Sequence, residues 1–202
     1  MLKRTFQTLA VIVTFWVTFA SAGSASLFYS DGPWSGKVID SETKEPIEGA
    51  VVLTVWRKVY ATPAGDNSYF LDAIEVLTNK EGKFIIPKFR AVNIIPIIRR
   101  FEGPDFTIFK PGYTAFSSIE YVGWIYFNKY FPDSPLRKDR DTLVGFFKKG
   151  VVVELLKLKT RDERLRNIPG DPADVGPKKL PLFYNLIDEE EKSIGLEGKI
   201  RR

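Results

Sequence analysis

The feature that most constrains the fold is a six-residue run, residues 51–56 (VVLTVW), in which threonine is the one polar residue. Side chains of a strand alternate between the two faces of its sheet, so this run predicts a strand that is covered on both sides. A second sheet can supply one cover, and another part of the chain must supply the other. With 202 residues, 44% of them hydrophobic, the chain has enough apolar material for one globular domain.

Short β segments separated by turn residues continue through the middle of the sequence. Residues 75–78 (EVLT) and 84–86 (FII) flank a turn whose Gly82 suits left-handed backbone, which predicts a β-hairpin. Residues 106–108 alternate and lead into a Pro-Gly turn at 110–113, and residues 151–158 (VVVELLKL) are predicted to form the last strand. The sequence therefore predicts an all-β, antiparallel sandwich of about seven strands.

Three sequence blocks point to a particular kind of sandwich. They are residues 36–52 (GKVIDSETKEPIEGAVV), 78–87 (TNKEGKFIIP) and 110–113 (KPGY). In this order the blocks resemble the carboxypeptidase regulatory-like domain family. The resemblance implies a transthyretin-like, Ig-like β-sandwich over residues 36–158 and an accessory role beside other proteins. Segments 57–74 and 114–149 are longer than the family pattern needs.

Residues 159–202 are predicted to form a helical extension. Thr160 and Glu163 match a capping box, which predicts a short helix to about Asn167, followed by a Pro- and Gly-rich connector at 169–181. A second helix is predicted to end before Gly195, with five apolar residues near one face: Leu182, Phe183, Leu186, Ile187 and Ile194.

In this second helix Glu189–Glu191 are predicted to turn mostly outward, and the helix needs an apolar surface to pack on. We expect it to dock on the chain's own sheet, over the face that residues 51–56 leave apolar. The alternative is that it docks on a partner protein.

The N-terminus has the pattern of a secretory signal peptide over residues 1–22. Lys3 and Arg4 precede a 12-residue apolar run, and Ala20-Ser21-Ala22 fits a cleavage site. We expect an exported protein, periplasmic or extracellular; a membrane contact is expected only if the segment is retained as an anchor. Cleavage would leave 28 basic against 25 acidic residues, a net charge of +3, which does not indicate nucleic-acid binding.

The chain contains neither cysteine nor histidine. These absences exclude Ser-His-Asp and Cys-His catalysis and histidine zinc sites built from this chain alone. Residues 41–44 (SETK) match a Ser-x-x-Lys pattern but fall in a predicted turn without its partner motifs. No spacing selects a carboxylate pair for glycoside hydrolysis from candidates such as Glu120, Asp133 and Glu154. We expect no enzyme activity, cofactor or metal.

Residues 119–131 (IEYVGWIYFNKYF) contain six aromatic residues. As a strand, this segment would place Trp124, Tyr126 and Tyr130 on one face. An exposed face of this kind can stack on sugar rings or anchor a partner protein, whereas the alternative is that the segment covers the open side of the sandwich. The sequence thus predicts a non-enzymatic accessory module of the cell envelope that binds an envelope protein or polysaccharide. The alternative is a carbohydrate-binding module that uses Trp124.

Overall fold

The structure, a computed structural model, describes residues 27–63, 65–92, 99–118, 145, 147–171 and 175–196. This part of the chain is mostly β, with several antiparallel sheets and few helices, and the predicted all-β class is confirmed at that level. The predicted leader at 1–22 and the aromatic segment at 119–131 lie outside the described residues.

The described residues include nine strands and two helices with defined bounds, and residues 147–149 are also helical. In chain order the strands are β1 (Phe28–Asp31), β2 (Trp34–Asp40), β3 (Val51–Thr62), β4 (Gly65–Leu77), β5 (Lys83–Ile86), β6 (Phe89–Val92), β7 (Arg99–Phe109), β8 (Phe116–Ser117) and β9 (Val151–Leu155). The helices are α1 (Arg161–Arg166) and α2 (Pro181–Ser193). The strands form a pair β1-β6, a three-stranded sheet β5-β2-β9 and a four-stranded sheet β4-β3-β7-β8.

One strand pair departs from the predicted antiparallel pattern. β9 runs parallel to β2, with Gly36 opposite Val151 and Asp40 opposite Leu155. Parallel strands need a long connection between them, and the more than one hundred residues between β2 and β9 provide it. The prediction of a purely antiparallel arrangement is therefore wrong at this pair.

The predicted hairpin between residues 75–78 and 84–86 is also wrong. β4 pairs with β3 and β5 pairs with β2, so the intervening turn passes from one sheet to the other. Gly82 has the predicted positive φ, +71°, and its carbonyl accepts a 2.8 Å hydrogen bond from the Val38 N–H. A Cβ at Gly82 would lie 2.4 Å from the Val38 carbonyl oxygen. The turn is thus shaped by its contact with β2.

Both faces of β3 are buried over residues 51–56, as the sequence predicts. Val52 and Trp56 belong to a core shared by residues of the three-stranded and four-stranded sheets, including Val38, Phe106 and Val153. The opposite face of β3 packs on α2 and belongs to a second cluster: Val51, Leu53, Val55, Phe109, Ala115, Leu180, Phe183 and Ile187. The predicted docking of the C-terminal helix on its own sheet is therefore confirmed.

The ends of the two helices are fixed in different ways. α1 has the predicted capping box between Thr160 and Glu163. α2 has no local side-chain cap, and its first N–H groups instead donate to the Glu75 carboxylate of β4, Phe183 at 2.7 Å and Leu182 at 3.2 Å. Burial raises the pKa of Glu75, and these two N–H donors only partly offset it. A capping residue supplied by a distant strand gave no local sequence signal.

The prediction that Glu189–Glu191 turn mostly outward is wrong, because only one of the three residues does so. Glu189 is exposed, but Glu190 and Glu191 are buried, at 1% and 4% exposure. They lie on the same helical face as Phe183 and Ile187, seven and eight residues after Phe183. The face of α2 that contacts the sheet therefore ends in carboxylates.

Candidate binding surfaces

The most deeply buried ion pairs among the described residues connect elements of the fold. Nη1 of Arg57 lies 2.7 Å from Oδ2 of the fully buried Asp105. Arg164 of α1 forms a two-pronged contact with Glu190 of α2, with Nε 2.8 Å from Oε1 and Nη2 2.6 Å from Oε2. Glu190 also accepts a 2.9 Å hydrogen bond from the Gly112 N–H. These pairs connect strands to strands and α1 to α2, so we assign them a structural role.

The stretch with the Ser-x-x-Lys pattern forms the predicted turn after β2. The buried carboxylate of Asp40 accepts hydrogen bonds from the N–H groups of Glu42 (2.8 Å) and Thr43 (3.0 Å). Lys44 directs its amine to both carboxylate oxygens of Glu154, at 3.0 and 2.9 Å. The side chains of this stretch thus stabilise the turn and attach it to β9.

The carboxyl group of Asp40 has a pKa below its ordinary value. Burial acts to raise this pKa, but the N–H groups of Thr43 and Glu42, the hydroxyl of Tyr113 and the charge of Lys157 together outweigh burial. A carboxyl whose pKa is lower in the folded state stabilises the fold above its unfolded pKa of about 3.9. That stabilisation is lost as the pH falls through the folded pKa.

We therefore expect the stability of the wild type to fall between about pH 5 and pH 2, and to fall less in Asp40→Asn. Urea unfolding at a series of pH values measures this difference. Glu48→Gln, at an exposed position nearby, is the control and is expected to follow the wild type. If Asp40→Asn and the wild type lose stability in parallel, Asp40 is not the titrating group.

The part of the four-stranded sheet beyond Trp56 presents aromatic side chains. We call this part the arm; it comprises residues 57–62, 65–70 and 99–102, and it begins at an irregularity in strand register next to Arg57. Lys58 stands directly opposite Tyr69 on one side and Phe101 on the other, so these three side chains share one face of the arm.

The aromatic rings on this face contact one another. Tyr60 and Tyr69 meet edge to face, with ring centres 4.7 Å apart, and the Lys58 amine lies 5.3 Å from the centre of the Phe101 ring. Tyr29 of β1 stacks on the Phe101 ring, at 4.6 Å between ring centres. Tyr69 is 53% exposed. The face thus combines fixed aromatic rings with one ring that is largely open to solvent.

This face was not predicted from the sequence, in which residues 57–74 stand out only as longer than the family pattern needs. The signal that could have found it is the pair of strand-like runs on either side of Pro63-Ala64-Gly65-Asp66. The predicted binding residues Trp124, Tyr126 and Tyr130 lie outside the described residues, and their role stays a prediction.

A second surface lies on the outer face of the three-stranded sheet. A shallow cleft of about 320 Å³ is bordered by β2, β5 and the start of β9. We call it the lysine cleft; its outward side chains are Ser35, Lys37, Lys83, Ile85 and Val152. Ile85 and Val152 are 69% and 53% exposed, so the cleft has an aliphatic floor between polar groups.

The chain matches no protein-family model, no curated protein and no solved structure. Neither helix in the described part of the chain has the length and apolarity needed to cross a bilayer. Within the same residues, no three acidic side chains are grouped in a way that could hold a metal ion.

Proposed function

We propose that this protein is an exported, non-enzymatic interaction module of the cell envelope, a transthyretin-like sandwich of the carboxypeptidase regulatory-like type. The two larger sheets share one core, in keeping with a sandwich. A module of this kind contributes a binding surface to a larger assembly, and the aromatic face of the arm is the surface we assign to it.

The observation that carries this proposal is the exposed Tyr69 ring, which packs edge to face on Tyr60 and shares its face of the arm with Phe101. Tyrosine offers a large contact area with few rotatable bonds, and the energy of protein interfaces is concentrated in such residues. Lys58 adds a charge that is already positioned over Phe101. The surface is therefore ordered before a partner arrives, which reduces the entropic cost of binding.

The edge of the four-stranded sheet supports the same assignment. β4 is 13 residues long and, among the described strands, hydrogen-bonds only to β3. Its first five residues are exposed. A strand edge of this length beside an aromatic face offers a partner both main-chain hydrogen bonds and side-chain contacts.

Site-directed photo-crosslinking in the native envelope tests the proposal. A photoreactive residue at position 69 is expected to crosslink to one or a few envelope proteins. The same photoreactive residue at the exposed position 189 of α2 is the control and is expected to give no crosslink.

Tyr69→Ala is expected to weaken binding of the captured partner about 10- to 30-fold while leaving the fold intact, because the ring is half exposed. The mature chain is expected to begin at Gly23. Equal crosslinking at positions 69 and 189, or an unprocessed chain in the cytoplasm, would contradict the proposal.

Carbohydrate binding is the second candidate, and the exposure of Tyr69 beside Tyr60 favours it as well, since tyrosine rings stack on sugars. The predicted residues for this function are Trp124, Tyr126 and Tyr130. A polysaccharide panel assayed with the wild type, Trp124→Ala and Tyr69→Ala separates the possibilities. Binding lost in either variant would favour a carbohydrate ligand and identify which aromatic surface holds it.

A further inference from the structure

We propose that the lysine cleft binds an acidic peptide segment of a partner protein, with one carboxylate of that segment held between the amines of Lys37 and Lys83. This site lies on the three-stranded sheet, whereas the arm belongs to the four-stranded sheet, and the inference does not rest on the arm.

The first ground is the register of β2 and β5. Lys37 and Lys83 are directly opposite each other in this antiparallel pair, so both amines project from the same face of the sheet. Like charges in directly opposed positions repel each other and destabilise the pair. A single anion between the two amines converts this repulsion into two favourable contacts.

The second ground is that the neighbouring acid is already engaged. Within the described residues neither lysine of the cleft forms an ion pair. Glu154 lies on the same face of β9, two residues after Val152, but both of its oxygens are bound by Lys44. The cleft therefore holds two positive charges that the described chain does not neutralise.

The composition of the cleft selects a peptide over an acidic sugar. Its outward polar groups are the two amines and the Ser35 hydroxyl, and its floor is formed by the aliphatic Ile85 and Val152. A uronate ring would bring several hydroxyl groups onto this aliphatic floor, where they would lose hydrogen bonds to water without replacement. A glutamate flanked by aliphatic residues satisfies the amines and covers the floor.

NMR titration of the full-length protein tests the proposal, with a capped pentapeptide that has a central glutamate flanked by valines. The amide signals of β2, β5 and the start of β9 are expected to shift, with a dissociation constant of about 1 mM or tighter. Lys37→Gln and Lys83→Gln are each expected to weaken binding at least about fivefold. Lys179→Gln, which removes the same charge at an exposed site before α2, is expected to bind like the wild type.

Two further measurements keep the result interpretable. Without peptide, Lys37→Gln and Lys83→Gln are expected to unfold at the same temperature as the wild type or higher, because one member of a repelling pair is removed. Tyr69→Ala is expected to bind the pentapeptide normally, so failure at the cleft and failure of the arm are distinguishable. Two comparison ligands complete the test: the same pentapeptide with glutamine in place of the central glutamate, and an oligogalacturonate. The proposal is overturned by no binding of the glutamate peptide, by equal binding of the glutamine peptide, by unchanged binding in both lysine variants, or by stronger binding of the oligogalacturonate.

Discussion

Replacing Arg164 with alanine is expected to lower the free energy of unfolding by about 3 kcal/mol. The Glu190 side chain is 2% exposed, and Arg164 supplies two of its hydrogen bonds, the third coming from the Gly112 N–H. Removing the guanidinium leaves a buried carboxylate with one donor, and such a group is costly because water cannot replace the lost partner. Urea unfolding monitored by tryptophan fluorescence measures the change.

Arg166→Ala is the matched control, since it removes the same side chain from the same helix. Arg166 pairs with Asp162 at 2.9 Å, but both side chains are more than half exposed, and we expect a loss within about 0.5 kcal/mol. Adding Glu190→Gln to Arg164→Ala is expected to restore part of the lost stability, because the uncompensated charge is then absent. Equal losses for the two arginine variants would show that burial of Glu190 does not govern the effect.

The local features of the fold could be predicted because their causes lie within a few residues. The capping box needs only Thr160 and Glu163, and the positive φ of Gly82 and Gly112 follows from the turns in which they occur. The two buried faces of β3 follow from the absence of an outward polar face in residues 51–56. That absence also led to the prediction that a distant element must cover the second face.

Strand pairing could not be predicted in the same way because it depends on contacts between distant segments. The sequence from Glu75 to Ile86 has the composition of a hairpin, yet the turn at Gly82 hydrogen-bonds to Val38 and the two strands enter different sheets. Local turn chemistry permits both outcomes. The outcome depends on the distant strands with which each segment pairs, β3 for β4 and β2 for β5.

The buried glutamates of α2 show a similar limit. Charged residues are rarely buried without a partner, so the sequence indicates an outward position for Glu190. Its partners, Arg164 and the Gly112 N–H, come from α1 and from the turn after β7. Glu191 is buried with it, its Oε1 has no hydrogen-bond partner among the described residues, and nothing in these residues explains that position.

The binding surfaces depend on register even more directly. Lys37 and Lys83 are 46 positions apart in the sequence, and only the pairing of β2 with β5 places them opposite each other. Likewise, Tyr69 and Phe101 become neighbours of Lys58 only when β3 pairs on both edges. The residues predicted from the sequence are instead Trp124, Tyr126 and Tyr130, because a dense aromatic run is visible without knowledge of any strand pairing.

Replacing Phe183 with alanine is expected to cost about 3–5 kcal/mol of folding stability, the largest effect among the changes considered. Its ring is fully buried in the cluster that joins α2 to β3, and its centre lies 6.5 Å from that of Phe109. Loss of the ring removes apolar contacts within this cluster, which also contains Val51, Leu53 and Val55, and leaves a cavity under the helix. Guanidinium unfolding measures the total loss, and amide hydrogen exchange on β3 reports where it occurs.

Asn185→Ala, two positions further along the same helix, is the control for changes in helix propensity and composition. Asn185 is exposed, so we expect a change within about 0.5 kcal/mol and unaltered exchange on β3. In Phe183→Ala, exchange is expected to accelerate at β3 and α2 together, because the helix is the cover of that strand face. If exchange accelerated in α2 alone while β3 stayed protected, the second face of β3 would not depend on the helix for its burial, and the layered arrangement described above would be wrong at that contact.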